Sequence, residues 1–318
     1  MKKIIISTFL AAMASLPVMA LDLDLTVKGD GLRVLTEKEA PEGFGRGLPM
    51  GPGALRFDGA SLWAADSLTG RLVEFDAGGK EIRKISINGG DQLVIADFAT
   101  IKDRDGKTEG FWALGSERPE LVKIDLTGKI LASFSTELSI QARLELLPGN
   151  RLAVLDQGMS QIAVFDETGK QLFKQSAVGK GFAAAANGDI LFLNQEGEVV
   201  VLCKRTDANG QVEKLAELPI SIESNPSLIL SLANDELLIG FHSFDEEKAE
   251  ASYNISRMNT AGKITATMTT PFPAAFIGRT VIDDGKNLFL VSFVEETGKY
   301  LLRLSEFAPA LIEEAAEG

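Results

Sequence analysis

Short apolar runs separated by tight-turn residues dominate the hydrophobic pattern of this chain. A turn containing Gly or Asn precedes an apolar run at six places, as in Asp58-Gly59 before Leu62-Trp63-Ala64. Gly and Asn accept the positive φ that tight hairpin turns require, and apolar runs of this length are typical of strands. Helical periodicity is nearly absent. The pattern therefore predicts an all-β protein built from short antiparallel strands.

A second series of turns is offset from the first and stays in phase with it. Three of these turns run from an Asp to a Gly-Lys pair, at Asp76 to Lys80, Asp125 to Lys129 and Asp166 to Lys170. An apolar run precedes each turn and an alternating run follows it. The repeating unit is therefore four strands, and its period of roughly 40 to 50 residues is typical of a propeller blade.

Six such units predict a six-bladed β-propeller of four-stranded antiparallel blades, forming a single domain over residues 21–318. A ring with loose ends would expose strand edges, which invite aggregation. The alternating segment 21–27 is therefore predicted to complete the sixth blade and close the ring, and residues 310–312 are the alternative donor. The predicted blades are roughly 53–87, 92–135, 141–176, 181–218, 226–270 and 275–312.

Two of the units carry a more specific signature. Residues 62–76 contain Asp66-Ser67 after an apolar-aromatic pair, then an Arg-Leu pair and Phe75-Asp76, and residues 152–170 repeat much of this with Asp156. The segment resembles the core of an NHL repeat, and the other units match it in outline. The resemblance implies a six-bladed propeller. It implies no activity, because such propellers include binding proteins, scaffolds and enzymes.

The amino terminus has the form of an export signal. Lys2 and Lys3 precede a short apolar stretch, and Val18 to Ala20 fits the small-residue cleavage rule. Residues 1–20 are therefore predicted to be a signal peptide that is removed. The apolar stretch is short for a membrane span, and no later segment is long enough, so no integral membrane span is expected. The predicted location is the periplasm, with full secretion as the alternative.

Charge and rare residues exclude several classes of protein. The formal net charge is −13, which disfavours nucleic acid as a partner. One His and one Cys exclude chemistries that need two of either, and no internal disulfide can form. Cys203 lies in an apolar run and is expected to be a buried small hydrophobe. Antibiotic-lyase propellers rely on more than one His, so they are a poor match for a chain that has one.

Candidate ligand-binding residues lie after the second strands of the blades. In propellers the loops between second and third strands share a face with the loops that join blades, so polar side chains there would surround one mouth of the channel. The long segment 241–253 adds aromatic residues and the sole His. The residues predicted to form this ligand or partner face are Asp66, Asp156, Asn194, His242, Phe244 and Ser292.

Two functions are compatible with these residues. The first is an exported non-enzymatic binding or scaffold propeller that recognises a protein, peptide or glycan through its loop face, with no catalytic residue and no cofactor. The alternative is a metal-dependent hydrolase or lactonase, similar to gluconolactonase-like propellers, with a divalent cation in the channel. Asp66, Asp156 and Asn194 would then be its ligands, since carboxylate and amide oxygens suit such a cation. The sequence leaves open whether the protein is an enzyme.

Overall fold

Six antiparallel sheets form a ring of blades around a central channel, as predicted. The structure is a computed structural model that describes residues 20–25, 32, 51–59, 61–87, 93–115, 119–138, 141–185, 187–207, 210–232, 235–245, 250–273, 277–296 and 299–311. The predicted signal peptide lies outside these residues, apart from Ala20. In the described part of the chain, no helix is long and apolar enough to cross a membrane.

Each blade takes four strands in sequence order, except at the two ends of the chain. The innermost strand of a blade comes first, and the next three strands follow outward. The strands are, in blade 1, β2 Ala54–Asp58, β3 Ser61–Asp66, β4 Arg71–Phe75 and β5 Glu81–Ser86; in blade 2, β6 Ile95–Lys102, β7 Thr108–Gly115, β8 Glu120–Asp125 and β9 Ile130–Ser135; in blade 3, β10 Gln141–Leu147, β11 Arg151–Asp156, β12 Gln161–Phe165 and β13 Gln171–Ser176; in blade 4, β14 Val178–Ala184, β15 Ile190–Glu196, β16 Val199–Arg205 and β17 Val212–Ser221; in blade 5, β18 Ser227–Ser231, β19 Glu236–Asp245, β20 Glu250–Asn259, β21 Ile264–Thr270 and β25 Ala310–Leu311; and in blade 6, β22 Val281–Asp283, β23 Leu288–Glu296, β24 Lys299–Glu306 and β1 Ala20–Asp24. A single turn of 3-10 helix, Ile222–Ser224, follows β17.

Burial explains why the sequence pattern changes from strand to strand within a blade. The second strands β3 and β11 are buried at every position after the first, because both faces of a blade pack against its neighbours. Such strands read as continuous apolar runs. The outer strand β9 alternates between exposed and half-buried positions, because one of its faces meets water. Six apolar layers result, one between each pair of adjacent blades.

The amino-terminal strand closes the ring. β1 pairs antiparallel with β24, and Asp22 accepts two hydrogen bonds from the Arg303 guanidinium, at 2.8 and 2.9 Å. Leu23 and Leu25 are buried in the apolar layer between blades 6 and 1. The prediction that an amino-terminal strand completes blade 6 is confirmed.

The carboxyl-terminal strand has a different place from the one predicted. β25 pairs with β21, so residues 310–311 extend the outer edge of blade 5 and are not part of blade 6. The fourth position of blade 6 is filled by β1, so residues 310–311 are not needed to complete that blade.

The Gly-Lys turns owe their regularity to a side-chain hydrogen bond. In the turn after β4, the Asp76 carboxylate accepts from the backbone N–H groups of Gly78 and Lys80, both at 2.9 Å. Asp125 and Asp166 do the same in blades 2 and 3. The Gly in each turn has a positive φ, which a residue with a Cβ rarely adopts. This local requirement makes the repeat visible in the sequence.

The long predicted loop of blade 5 is largely a hairpin. β19 and β20 remain paired as far as Asp245 opposite Glu250, so His242 and Phe244 belong to a strand and not to a loop. Side chains alternate along a strand, so neighbouring residues within 241–244 and within 250–253 point to opposite faces of the blade. The paired ends of β19 and β20 therefore extend past the neighbouring strands β18 and β21.

Candidate functional site in the central channel

Two of the predicted site residues are bound to the turns that follow them. Asp66 and Asp156 end the equivalent strands β3 and β11, and both are fully buried. The Asp66 carboxylate accepts from the Arg71 guanidinium at 2.7 Å and from the Thr69 hydroxyl. The Asp156 carboxylate accepts from the Met159 backbone N–H at 3.2 Å. Both acids therefore contribute to fixing their own hairpins.

The other four residues of the predicted face lie within strands. Asn194 is in β15, and Ser292 is in β23, where its hydroxyl donates to the Arg303 carbonyl at 3.4 Å. The His242 ring packs against the rings of Tyr253 and Phe272, while Phe244 is 62% exposed. The six residues are spread over five blades. Among the residues that the structure describes, no group of three or more His, Cys, Asp or Glu side chains could hold a metal ion.

A different set of polar side chains converges in the channel. Arg56 comes from β2, Asp97 from β6, Arg143 and Glu145 from β10, and Arg279 from the residues just before β22. These four elements are the innermost ones of blades 1, 2, 3 and 6. Arg143 and Glu145 are two residues apart, so the alternation of β10 places them on the same face. We call these five residues the channel cluster.

The channel cluster is a continuous network of ion pairs. Arg279 lies 3.1 Å from Asp97 and 2.9 Å from Glu145. Arg56 makes the same two pairs, at 3.1 and 3.3 Å. Arg143 contacts Glu145 at 3.3 Å. Each carboxylate thus serves at least two guanidinium groups, which is the arrangement that buried charges need in order to be tolerated.

Arg143 carries the network across the ring to blade 5. Its guanidinium donates to the Leu228 carbonyl at 2.9 Å and to the Ile229 carbonyl. Both carbonyls lie at a bulge, where the pairing of β18 with β19 skips one residue. The side chain passes Gly181 of blade 4, where a Cβ would lie 3.0 Å from the guanidinium and 2.1 Å from the Leu228 oxygen. Gly181 is therefore required for this close approach.

The charges within the cluster shift one another's pKa. Burial raises the pKa of Glu145, but the three arginines, Arg279 most of all, outweigh burial and hold it well below its usual range. Burial also raises the pKa of Asp97, but Arg56 and Arg279 outweigh burial and lower this pKa below its usual value. Burial, together with Arg279, lowers the pKa of Arg143 to about 9, so it stays protonated at neutral pH. Glu145, Asp97 and Arg143 are therefore charged at pH 7.

The cluster has more donors and more positive charge than its own acceptors satisfy. Three guanidinium groups face two carboxylates, which leaves one positive charge in excess. The Nε–H groups of Arg56 and Arg279 are buried and have no hydrogen-bond partner among the described residues. A buried donor without an acceptor is costly. What the cluster lacks is therefore an oxygen acceptor, and preferably an anionic one.

A cavity of about 290 Å³ opens beside the cluster. All six blades contribute to its wall through their innermost strands, so it occupies the central channel. Asp283 also contributes, but it is exposed to solvent and accepts from the Gly285 backbone N–H. The lining residues are Leu55, Arg56, Phe57, Thr100, Arg143, Glu145, Ala183, Ala184, Leu230, Ser231, Arg279, Val281, Ile282 and Asp283.

The cavity lies at the opposite end of the channel from the predicted ligand face. Most of its lining residues belong to the carboxyl-terminal halves of the innermost strands, next to the turns that lead to the second strands. Asp66 and Asp156 end their second strands, which run back antiparallel to the other side of the ring. The sequence signal for the channel site was a few charged residues within the mainly apolar innermost strands, such as Arg56 in Ala54–Asp58.

Neither a protein-family model nor a curated protein sequence matches this chain. Solved structures with the same ring do match. Virginiamycin B lyase from Staphylococcus aureus has a TM-score of 0.54 at 12% identity, over 90% of this chain and 99% of that one. A member of the DUF4221 family from Bacteroides vulgatus has a TM-score of 0.55 at 11% identity, over 92% and 97%. Luciferin-regenerating enzyme has a TM-score of 0.52 at 11% identity, over 88% and 97%.

These structures contradict the prediction of a non-enzymatic binding or scaffold propeller. That prediction took the lack of a recognisable catalytic motif as grounds for a scaffold, yet two of the three similar rings are named as enzymes. A ring of this form therefore gives no grounds for excluding catalysis. At 11 to 12% identity, the likeness itself establishes a six-bladed β-propeller and does not carry a reaction.

Proposed function

We propose that the protein takes a small anionic substrate into its central channel, where Arg56, Arg143 and Arg279 bind it. The observation that carries this proposal is the excess positive charge of the cluster at the wall of the cavity. Three guanidinium groups face two carboxylates, and all three arginines line the cavity. Guanidinium groups match carboxylate and phosphate oxygens in geometry as well as in charge.

The size of the cavity suits a small molecule. Its volume of about 290 Å³ lies near the lower end of the range for small-molecule sites, roughly 300 to 1,000 Å³. Its wall combines the charged cluster with the apolar side chains of Leu55, Phe57 and Ile282. Such a wall would hold the carbon skeleton of a substrate while the arginines bind its anionic group.

The chemistry that this cluster offers is electrostatic. Glu145 is ionised, and with its pKa held well below the usual range it is a weak base and cannot act as an acid at neutral pH. Three fixed guanidinium groups in a poorly solvated site would instead stabilise negative charge on a bound substrate, or negative charge that develops during a reaction. We therefore assign the cluster to substrate binding and charge stabilisation.

The test is direct binding of simple anions to the purified chain, followed by calorimetry and thermal melting. Acetate, propionate, butyrate and inorganic phosphate are the probes. Arg56→Met removes the most exposed guanidinium of the cluster, and we expect it to weaken binding by about tenfold or more, since a charge-assisted hydrogen bond contributes about 1.5–3 kcal/mol. Arg104→Met, on an exposed turn of blade 2, makes the same charge change away from the channel and serves as the control.

The proposal fails if no probe binds, or if Arg56→Met and Arg104→Met bind every probe like the unaltered protein. Urea unfolding of both variants separates a loss of binding from a loss of folding. Once an anion is found to bind, larger esters, lactones and amides carrying the same anionic group become the compounds to assay for turnover.

Three further expectations stand as proposals. Export to the periplasm is supported by the Lys2-Lys3 start, the apolar stretch and the small residues before Leu21. Mass spectrometry tests it, because the protein isolated from the cell envelope should begin at Leu21. Kinship with NHL repeats is supported by residues 62–76 and 152–170. A divalent cation at Asp66, Asp156 and Asn194 remains a prediction, and a fall in melting temperature with chelator, reversed by calcium or magnesium, is its test.

A further inference from the structure

A second cavity continues the channel cavity outward between blades 2 and 3. Its volume is about 410 Å³, and it shares Arg56, Thr100 and Glu145 with the channel cavity. The rest of its wall comes from the carboxyl-terminal end of β6, the end of β10 and the turn after β10. The channel cluster therefore lies at the inner end of a longer groove. A monocarboxylate of a few carbons would fill only that inner part.

The outer end of this groove carries its own hydrogen-bond donors. Lys102, the last residue of β6, and Asn150, in the turn before β11, both line it. The Lys102 ammonium lies 2.6 Å from the Asp58 carboxylate, which also accepts from the Thr108 hydroxyl. Asp58 fixes the ammonium in place, and two of its three N–H groups remain for another acceptor. The Lys102 side chain is 47% exposed, so a ligand can reach it.

We propose that the substrate is an extended molecule with an anionic group at the channel cluster and a second oxygen-bearing group at Lys102 and Asn150. This inference rests on the proposed function, because it places the first anionic group at Arg56. The wall between the two ends includes Ala99, Ile101 and Leu146, which are apolar and suit a carbon chain. The shared residues Arg56 and Thr100 make the two cavities parts of one site.

A chain-length series of carboxylates tests the inference. Glutarate, adipate and pimelate carry a carboxylate at both ends, and pentanoate, hexanoate and heptanoate have the same carbon numbers with one carboxylate. We expect one dicarboxylate to bind about three- to tenfold more tightly than its monocarboxylate partner, because partly exposed ion pairs and hydrogen bonds each contribute modestly. The advantage should appear only above a minimum length.

Two variants assign that advantage to residues. Lys102→Met should bring the affinity of the dicarboxylate down to that of the monocarboxylate, while monocarboxylate binding changes less than about twofold, within the range of a distant surface change. Asn150→Gly should reduce the same advantage without backbone strain, because Asn150 has a φ of 56° that Gly adopts freely. Lys129→Met, in an exposed turn of blade 2, is the matched control.

The outcomes separate the two proposals. If monocarboxylates bind and no dicarboxylate binds more tightly at any length, the extended substrate is refuted and the channel site stands. Equal weakening of both series by Lys102→Met has the same meaning. If no carboxylate of either series binds, the extended substrate is refuted, and if inorganic phosphate does not bind either, the proposed function is refuted with it.

Discussion

Replacing the buried Gly181 with alanine should destabilise the ring strongly. An ideal Cβ at this position would lie 2.1 Å from the Leu228 carbonyl oxygen and 3.0 Å from the nearer Arg143 nitrogen. Real Cβ atoms do not approach a backbone oxygen so closely, and the oxygen cannot rotate away as a flexible side chain could. Either β14 and β18 move apart, or Arg143 gives up its path across blade 4.

The expected cost follows from these two contacts. Overpacking a well-packed interior by a methyl group costs about 1–3 kcal/mol. Losing the 2.9 Å hydrogen bond from Arg143 to the Leu228 carbonyl costs about 1.5–3 kcal/mol more, because the donor is charged and buried. The two losses partly overlap, so we expect Gly181→Ala to lower the free energy of unfolding by about 2–5 kcal/mol. That is a large share of the roughly 5–15 kcal/mol typical of a folded domain.

Urea unfolding followed by tryptophan fluorescence measures this difference. Both tryptophans, Trp63 and Trp112, are 1% exposed in the native ring, so unfolding changes their surroundings fully. Gly78→Ala is the control, since its Cβ would meet only the Asp76 side chain, at 3.3 Å, in an exposed turn. The control should stay within about 0.5 kcal/mol of the unaltered protein. A cost below about 1 kcal/mol for Gly181→Ala would show that β14 and β18 are not packed as closely as described.

Two further predictions concern ring closure and pH. Leu23→Ala, in the closing strand β1, should cost about 2–5 kcal/mol of unfolding free energy, because the side chain is 1% exposed. Leu172→Ala, at an exposed position, should cost little. Equal costs for the two variants would argue against closure by β1. The lowered pKa values of Glu145 and Asp97 stabilise the fold above the ordinary carboxyl range near pH 4, and this stabilisation is lost as the pH falls below it. Glu145→Gln should therefore reduce the loss of stability between pH 6 and pH 3 in urea titrations, and parallel pH profiles would contradict that role.

The fold was predictable because each blade repeats the same local requirements. The turn at Asp76 to Lys80 needs an Asp carboxylate for two backbone N–H groups and a Gly for a positive φ, and equivalent turns recur in blades 2 and 3. The second strands are buried on both faces and so read as apolar runs. These demands act over a few residues, which is why they are legible in one sequence. The closing role of β1 followed from the unfilled place in blade 6.

The predicted site was inferred from the same local signals, and it stays a prediction. Asp66 and Asp156 recur at equivalent positions because their carboxylates bind the following hairpin turns, as at Arg71 and Met159. The same residue with a hydrogen bond to the following turn in two blades indicates a structural requirement of that turn. The prediction of a long loop in blade 5 likewise did not allow for the continued pairing of β19 and β20 as far as Asp245 opposite Glu250.

A functional site in a ring of repeats is to be sought where the copies differ. The charged residues of the innermost elements differ from blade to blade: Arg56 in blade 1, Asp97 in blade 2, Arg143 and Glu145 in blade 3, and Arg279 just before β22 in blade 6. Apart from the Arg143–Glu145 pair, the ion-pair partners are 41 to 182 residues apart along the chain, so no short motif can record them. Only closure of the ring brings Arg279 of blade 6 against Asp97 of blade 2. A substrate bound at this cluster would therefore depend on the closed ring, and opening it at β1 should weaken anion binding together with stability.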